Sequence, residues 1–340
     1  MASDEPDVAR LLAAFAGKRH DRVPHFEICI EAAAVAGIMG WPREKGIHSR
    51  YLPPALALEF ARRTHQDVIV ACVDAWFGER AVSTEADLDR LPPFDPDSCR
   101  RGLQAYLDAV RGTNIGVAAH MCGPFFVSYM AMGPVPIQSF LLNLYDNPAL
   151  VERLMEIQAT RQLAIWEAIR DLPLAFAIVA DDVAMTSGYF CPPAIMQQLW
   201  IPRARRLAQA VKAAGKPLLW HCCGKLDDVL PLFVEWGVDA LNPIQPSCND
   251  IYSIQKQYGR ELCLVGNMCI EGVLTFGTPA EVRAETRTHI EGLAGGGYVV
   301  ASSHSIIDSI PLENYYAMTE TAREYGVFRR ANSSAHVRNR

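Results

Sequence analysis

The sequence predicts an α/β protein whose single domain is a (β/α)8 TIM barrel with an N-terminal helical extension. Eight short apolar runs alternate with segments of helical periodicity along a chain of 340 residues. Strands that are nearly continuous in apolar residues are typical of a parallel sheet covered on both faces. No G-x-G-x-x-G motif follows the first run, so a closed barrel is favoured over an open doubly wound sheet.

The predicted strands follow one another without an internal linker. They lie at Val23–Cys29, Asp67–Val73, Ile115–Met121, Ala175–Asp181, Pro217–Cys223, Asp239–Gln245, Leu262–Met268 and Tyr298–His304. The helical segment before the last strand begins with Thr278 and Pro279, a typical helix start. We therefore expect one barrel domain at residues 23–328, a helical extension at 1–22 and a polar tail at 329–340.

Composition and charge exclude several classes of protein. A net charge of −6 offers no basic surface for nucleic acid. No run of about 18 apolar residues is present to span a membrane, and the acidic start is unlike a signal peptide. The ten cysteines are therefore expected to be thiols or metal ligands of a cytoplasmic protein rather than disulfides. The sequence is also compatible with a homodimer.

Polar residues follow or end most of the predicted strands. They are Glu27, Asp74, Cys122, Asp181 with Asp182, His221 with Cys223, Gln245, Asn267 and His304. The active site of a (β/α)8 barrel lies at the C-terminal ends of its strands, so this concentration predicts an enzyme. Helix capping and loop packing are the structural alternatives for the carboxylates. Tyr129 is either a further site residue or an aromatic residue packed in a helix.

The segment LLWHCCGK, Leu218–Lys225, predicts a metal site. Residues i and i+2 of a strand point to the same face, so His221 and Cys223 project together while Cys222 points away. Imidazole and thiolate are zinc ligands, and a catalytic zinc uses three protein ligands and one open position. His304 is the expected third ligand. The reserve candidates are Glu27, Asp182 and Cys122.

The remaining thiols and imidazoles admit plainer interpretations. Cysteines inside apolar runs are expected to be core residues; they are Cys29, Cys72, Cys222 and Cys263. His120 is expected in the core or behind the site. A strained redox pair of Cys222 and Cys223 is the alternative to a metal site.

Several blocks of the chain resemble the uroporphyrinogen decarboxylase superfamily. The segment 180–224 contains an Asp-Asp pair, a proline before a helix and a strand that ends in H-x-C-G. The blocks YGRELCLVGNM, FGTPAEV and GGGYVVASSHSIIDSIPLENYYAM follow in the order and spacing of that superfamily, and DVIVACVD resembles its early strand. The resemblance covers most of the chain and implies a (β/α)8 barrel.

One branch of the superfamily consists of decarboxylases that need no metal. They bind a carboxylated tetrapyrrole through arginines that follow the first strand. The matching segment here, HFEICIEAAAVAG, has no arginine and carries Glu27 and Glu31, which would repel carboxylates. Asp74, Tyr129 and His304 nevertheless fall where the decarboxylase pattern has the same residue types. A metal-free decarboxylase is therefore the alternative function.

The chain also resembles the other branch, which contains zinc-dependent methyltransferases that work with corrinoid proteins, such as the methylcobalamin:coenzyme M and O-demethylase enzymes. His221 and Cys223 match their H-x-C pattern, whereas His304 stands where the coenzyme M enzymes have a cysteine. This resemblance implies zinc, a small methylated substrate such as a methyl ether, and cobalamin carried by a corrinoid-binding partner protein. The candidate catalytic residues are Glu27, Asp74, Asp181 and Asp182, and the candidate substrate-binding residues are Tyr129, Gln245 and Asn267.

Overall fold

The structure is a computed structural model that describes residues 5–73, 82–294 and 297–328. Two predictions concern residues outside these ranges. Asp74, a candidate catalytic residue, and the polar tail at 329–340 lie outside the described residues.

Seven parallel strands form a curled sheet at the centre of the molecule. They are β1 Val68–Cys72, β2 Gly116–Cys122, β3 Phe176–Ala180, β6 Leu218–His221, β7 Ala240–Asn242, β8 Cys263–Met268 and β9 Tyr298–Ser302, hydrogen-bonded in that order. A small antiparallel hairpin of β4 Ala184–Met185 and β5 Gly188–Tyr189 follows β3. The predicted α/β, TIM-barrel-like fold is confirmed.

The first predicted strand differs from the expectation. Instead of a regular strand, His25 forms an isolated bridge with Val300 of β9, and Ile30, just after the segment, forms another with Ile306, beyond the end of β9. On the other side, the Glu27 amide donates to the Gln66 side chain at 3.0 Å, just before β1. The segment therefore occupies the place of an eighth strand. Pro24 has no amide hydrogen to donate, which contributes to the irregular pairing.

Helices surround the sheet. Those in the described residues are α1 Val8–Phe15, α2 Ala32–Met39, α3 Pro54–Thr64, α4 Glu85–Leu88, α5 Pro96–Ala109, α6 Pro124–Ala131, α7 Pro136–Asp146, α8 Pro148–Ile169, α9 Pro193–Ile195, α10 Ile201–Ala213, α11 Leu230–Glu235, α12 Ile251–Tyr258, α13 Val273–Phe276, α14 Pro279–Leu293 and α15 Leu312–Tyr325. Short 3-10 turns lie at Arg43–Lys45 and Ser49–Tyr51, and a π-turn at Met196–Trp200 joins α9 to α10. None of the helices described is long and apolar enough to cross a bilayer.

The N-terminal helix α1 closes one end of the barrel. Its Leu11 and Phe15 pack into the apolar interior with Phe176 and other alternate strand residues. Arg10 of α1 is buried and bonds Asp67, at the start of β1, at 2.5 Å and Asp21 at 2.6 Å. The open end of the barrel is therefore the opposite one, where the carboxyl ends of the strands meet.

Candidate metal centre

A cavity of about 540 Å³ lies at the carboxyl ends of the strands. Its walls are formed by Ile28, Cys29, Arg50, Tyr51, Cys72, His120, Cys122, Phe126, Ala180, Asp182, His221, His304 and Ser305. On β1, β2, β3 and β6, the lining residues follow the same alternation as the interior apolar residues below them. On β2, for example, Ala118 lies in the interior core, and His120 and Cys122 line the cavity.

The three predicted metal ligands come together on one wall of this cavity. The Cys223 Sγ atom lies 3.4 Å from His221 Nε2 and 3.0 Å from His304 Nδ1. The possible ligand atoms of the three residues all lie within 4.8 Å of one another. His221 ends β6, Cys223 follows two residues later, and His304 follows β9. Distant parts of the chain therefore converge on one point.

A hydrogen bond behind His221 selects its tautomer. The Nδ1 atom of His221 lies 2.6 Å from Asn242 Oδ1, and Asn242 Nδ2 donates to the Val265 carbonyl at 2.9 Å. Because its amide nitrogen is occupied in this way, the Asn242 oxygen faces the imidazole and accepts a hydrogen bond from Nδ1. The Nε2 atom then presents a lone pair toward Cys223, the arrangement that a metal-binding histidine requires.

Burial and charge determine the protonation of His221 and Cys223. Burial lowers the pKa of His221, although the nearby Asp182 opposes this effect. Burial also raises the pKa of the Cys223 thiol, and Asp182 raises it further. Without a cation, the pair is therefore driven toward a neutral imidazole and a protonated thiol. Metal binding at this site must displace the thiol proton.

The donor set fits zinc. Two imidazole nitrogens and one thiol sulfur are zinc ligands, and three protein donors on the wall of an open cavity leave room for a further ligand. The carboxylate of Asp182 adds negative charge nearby, since its Oδ1 atom lies 3.7 Å from His221 Nε2 and accepts the Cys223 amide at 2.9 Å.

The two adjacent carboxylates, Asp181 and Asp182, have different surroundings. Asp182 lines the cavity. Asp181 points to the outer side of the sheet, where it is fully buried and accepts hydrogen bonds from the Phe126 amide at 2.8 Å and Trp200 Nε1 at 2.7 Å. Burial raises the pKa of Asp181 to about 7. Of the two, Asp182 is the one placed to meet a substrate.

Glu27, predicted as a catalytic residue and a reserve ligand, also faces outward. Phe26 and Ile28 belong to the interior core, so alternation turns Glu27 to the helix side. Its carboxylate accepts the Ser302 amide and the Ser302 hydroxyl, both at 2.7 Å. Burial raises the pKa of Glu27 to about 8. The group formed by His221, Cys223 and His304 includes neither Glu27 nor the other reserve candidates, Asp182 and Cys122.

The predicted substrate-binding residues lie around the site without forming part of the cavity wall described above. Burial raises the pKa of Tyr129, and Asp182 and Asp181 raise it further. Gln245 Oε1 accepts the Gly224 amide at 3.1 Å and so supports the turn after Cys223. Asn267 is buried and donates to the Ile244 carbonyl at 2.8 Å, while its Oδ1 atom has no partner among the described residues.

The structure adds cavity residues that the sequence interpretation missed. Cys29 and Cys72 were expected in the core, yet both line the cavity, as does His120. Strand alternation carries the signal for Cys72 and His120, because they continue the interior series of β1 and β2. Arg50 lies in a 3-10 turn and has no comparable signal in the sequence. Its buried Nε atom has no hydrogen-bond partner in the part of the chain that the structure describes.

The fold and the site place the chain among barrel proteins that gather polar side chains at the carboxyl ends of their strands. The family described as uroporphyrinogen decarboxylase (URO-D) matches residues 74–325, and the chain belongs to this family. A solved structure described as a methyltransferase from Methanosarcina mazei is similar with a TM-score of 0.73 and 20% identity, covering 94% of this chain and 99% of that one.

A xylose isomerase-like TIM barrel protein from Mycobacterium smegmatis, solved with magnesium, gives a TM-score of 0.40 and 10% identity. The match covers 89% of this chain and 97% of the Mycobacterium smegmatis protein. No curated protein matches the sequence.

Proposed function

We propose that this protein is a zinc-dependent methyltransferase that moves a methyl group between a small methylated substrate, such as a methyl ether, and a corrinoid protein. One observation carries the proposal: His221, Cys223 and His304 gather three zinc-type donors within 4.8 Å of one another. They do so on the wall of a cavity of about 540 Å³, a size suited to a small molecule. The shared fold with a methyltransferase from Methanosarcina mazei supports the proposed chemistry.

In this proposal His221, Cys223 and His304 would hold the zinc ion. When bound, zinc supplies Lewis acidity that polarises the atom carrying the methyl group, or stabilises it as an anion. Cobalamin on the partner protein supplies the cobalt centre that exchanges the methyl group. Asn242 keeps the Nε2 lone pair of His221 toward the site through its 2.6 Å contact with Nδ1.

Other residues of the cavity would bind the substrate and handle protons. Asp182 lies beside the proposed ligands and is partly exposed, so its carboxylate can exchange a proton with a substrate atom. Arg50 offers a substrate acceptor group its buried Nε donor, which has no hydrogen-bond partner among the described residues. Ile28 and Phe126 provide apolar wall that limits the access of water.

Metal analysis of matched cysteine variants tests the proposal. Protein purified without chelators should contain about one zinc per chain, and His221→Ala and Cys223→Ser should lose it. Cys222→Ser is the matched control, because Cys222 is an adjacent buried thiol on the opposite face of the strand. Absence of zinc from the wild type, or equal zinc in the Cys223→Ser variant, contradicts the proposal. Methyl transfer from free methylcobalamin, or from a methylated substrate to free cob(I)alamin, then tests the reaction itself.

The family supplies the second candidate, a decarboxylase that uses no metal. Membership of the uroporphyrinogen decarboxylase family favours this reading. Against it, Arg50 is the one arginine among the described residues that line the cavity, whereas a multiply carboxylated tetrapyrrole requires several cations. Release of carbon dioxide from uroporphyrinogen by the purified, zinc-free protein would establish the decarboxylase.

A further inference from the structure

The position of His304 conflicts with the regular alternation of its strand. On β9, Val299 and Ala301 belong to the interior core, whereas Ser302 meets Glu27 on the outer side. Continued alternation would place His304 on the outer side together with Ser302. His304 instead lines the cavity and lies 3.0 Å from Cys223 Sγ. Some feature between Ser302 and His304 must therefore turn the imidazole inward.

An extra residue in the β9 segment explains this change of face. The chain before α2 pairs with the β9 segment at His25↔Val300 and again at Ile30↔Ile306. Five steps along one chain therefore face six steps along the other. A one-residue excess of this kind is the feature of a β-bulge, which commonly re-aims a side chain next to an active site.

The carboxyl group of Glu27 lies between the two bridges, where the extra residue is accommodated. At the first pairing, Val300 donates to the Pro24 carbonyl and accepts the Phe26 amide, both in the regular parallel pattern. The next amide of β9, that of Ser302, would then donate to the Phe26 carbonyl. It donates instead to Glu27 Oε1 at 2.7 Å, and the Ser302 hydroxyl donates to Oε2 at 2.7 Å. The side chain thus replaces the backbone acceptor.

The burial of the Glu27 carboxyl group is not explained by an ion pair. Its side chain is 4% exposed, and none of the described cationic groups forms an ion pair with it. A buried carboxyl group without a cation is costly unless its hydrogen bonds serve the structure. Within the described part of the chain, its carboxyl oxygens accept two hydrogen bonds, both from Ser302, which lies two residues before His304.

We propose that Glu27 is a positioning residue for His304: by holding Ser302 at the bulge, it turns the chain between Ser302 and Ile306 so that the imidazole joins His221 and Cys223. This inference rests on the proposed metal centre and adds a residue outside the cavity to it. Glu27 acts through backbone geometry and contacts neither the ion nor the substrate.

Zinc affinity of Glu27→Ala, measured by competition with a chromophoric chelator, tests the inference. Removal of a group that orients a metal ligand weakens binding by about 10–100-fold, and this loss is expected here. Glu27→Gln keeps an acceptor for the amide and a polar contact with the hydroxyl, so it should restore most of the affinity. Ser302→Ala loses only the hydroxyl contact, so it should lose less affinity than Glu27→Ala.

Asp67→Ala is the matched control, because Asp67 is also a buried carboxyl group but lies at the closed end of the barrel. It should bind zinc as the wild type does. Equal losses of affinity in Glu27→Ala and Asp67→Ala, or an unchanged affinity in Glu27→Ala, would overturn the inference. The visible spectrum of bound Co²⁺ provides a second readout, and it should change in Glu27→Ala and stay unchanged in Asp67→Ala.

A crystal structure of metal-free Glu27→Ala separates this inference from the proposed function. The distance between His304 Nδ1 and Cys223 Sγ, 3.0 Å in the wild type, should increase as the imidazole leaves the cavity wall. An unchanged distance would overturn the positioning role even if zinc binds. An increased distance would support it even if the wild type binds no zinc, a result that would refute only the proposed function.

Discussion

The Nδ1 atom of His221 lies 2.6 Å from the Oδ1 atom of Asn242, and the two residues are direct neighbours across the β6–β7 pairing. The Asn242 amide nitrogen is bound to the Val265 carbonyl on β8 at 2.9 Å. The backbone of a third strand therefore fixes the orientation of the amide, and the amide fixes the imidazole. The sheet itself therefore directs the Nε2 lone pair of His221 toward Cys223.

Replacement of Asn242 should weaken zinc binding without removing a ligand. Asn242→Leu removes the acceptor of the Nδ1 hydrogen, so zinc affinity should fall by about 10–100-fold. Asn242→Asp keeps an acceptor and should bind zinc more tightly than Asn242→Leu. Chelator competition measures both. Asn314→Leu is the control, because Asn314 is equally buried and bonded to two carbonyls, of Leu274 and Gly277, away from the ligands. Wild-type affinity in Asn242→Leu contradicts the prediction.

Zinc affinity should increase with pH because the Cys223 thiol must lose its proton. Burial and Asp182 raise the pKa of this thiol, so it is protonated in the metal-free protein at neutral pH. Burial lowers the pKa of His221, so its proton competes with zinc only at lower pH. The affinity should therefore rise by about tenfold per pH unit near neutrality. Titrations of the wild type at several pH values check this slope. A pH-independent affinity of the wild type argues against thiolate ligation.

Strand alternation could have predicted the orientation of more site residues than His221 and Cys223, the two to which the sequence analysis applied it. The same rule separates Asp182, which lines the cavity, from Asp181, which is buried on the outer side. It also turns Glu27 outward, because Phe26 and Ile28 face the interior. These assignments depend on the positions of the strands, and those positions were predicted for most of the sheet from apolar runs.

Other parts of the site depend on contacts that no local pattern encodes. His304 reaches the cavity through a one-residue mismatch between segments more than 270 positions apart in the sequence. Arg50 reaches it from a 3-10 turn in a loop. The packing of α1 against the end of the barrel involves the ion pair between Arg10 and Asp67, which are likewise distant in the sequence.

The neighbouring carboxylates should give opposite results when each is changed to the amide. Asp182→Asn keeps an acceptor for the Cys223 amide but loses the cavity charge, so kcat for methyl transfer should fall by about 100-fold with little change in Tm. Asp181→Asn sets an amide donor against the Trp200 indole donor or the Phe126 amide, which should destabilise the fold by about 1–3 kcal/mol. Kinetics and thermal unfolding of both variants make the comparison. Loss of activity confined to Asp181→Asn would reverse the assignment.

The ion pair beneath the barrel should contribute to stability and not to zinc binding. Arg10 and Asp67 are 2% exposed each, and Arg10→Met leaves the Asp67 carboxylate buried without its cation. Such a loss costs about 3–5 kcal/mol, measurable by urea unfolding at pH 7. The double variant Arg10→Met/Asp67→Leu removes both charges of this pair and should recover part of the stability, since Asp21 still lacks its cation. A double variant as unstable as Arg10→Met alone would show that packing of α1, rather than the unpaired charge, determines the loss.

Glu27 should make the stability of the protein depend on pH. Burial raises the pKa of Glu27 from 4.5 to about 8 in the folded state, so the native protein holds a proton that the unfolded chain releases. The stabilising contribution of this proton is complete below pH 4.5 and is lost as the pH rises toward 8, by up to about 1.4 kcal/mol per pH unit. Glu27→Gln stays neutral and lacks this slope. The stability of Glu27→Gln relative to the wild type, measured by urea unfolding of the metal-free proteins, should therefore increase across this interval. Parallel stability curves for the two proteins would mean that the Glu27 carboxyl group is already ionised in the folded protein across this pH interval.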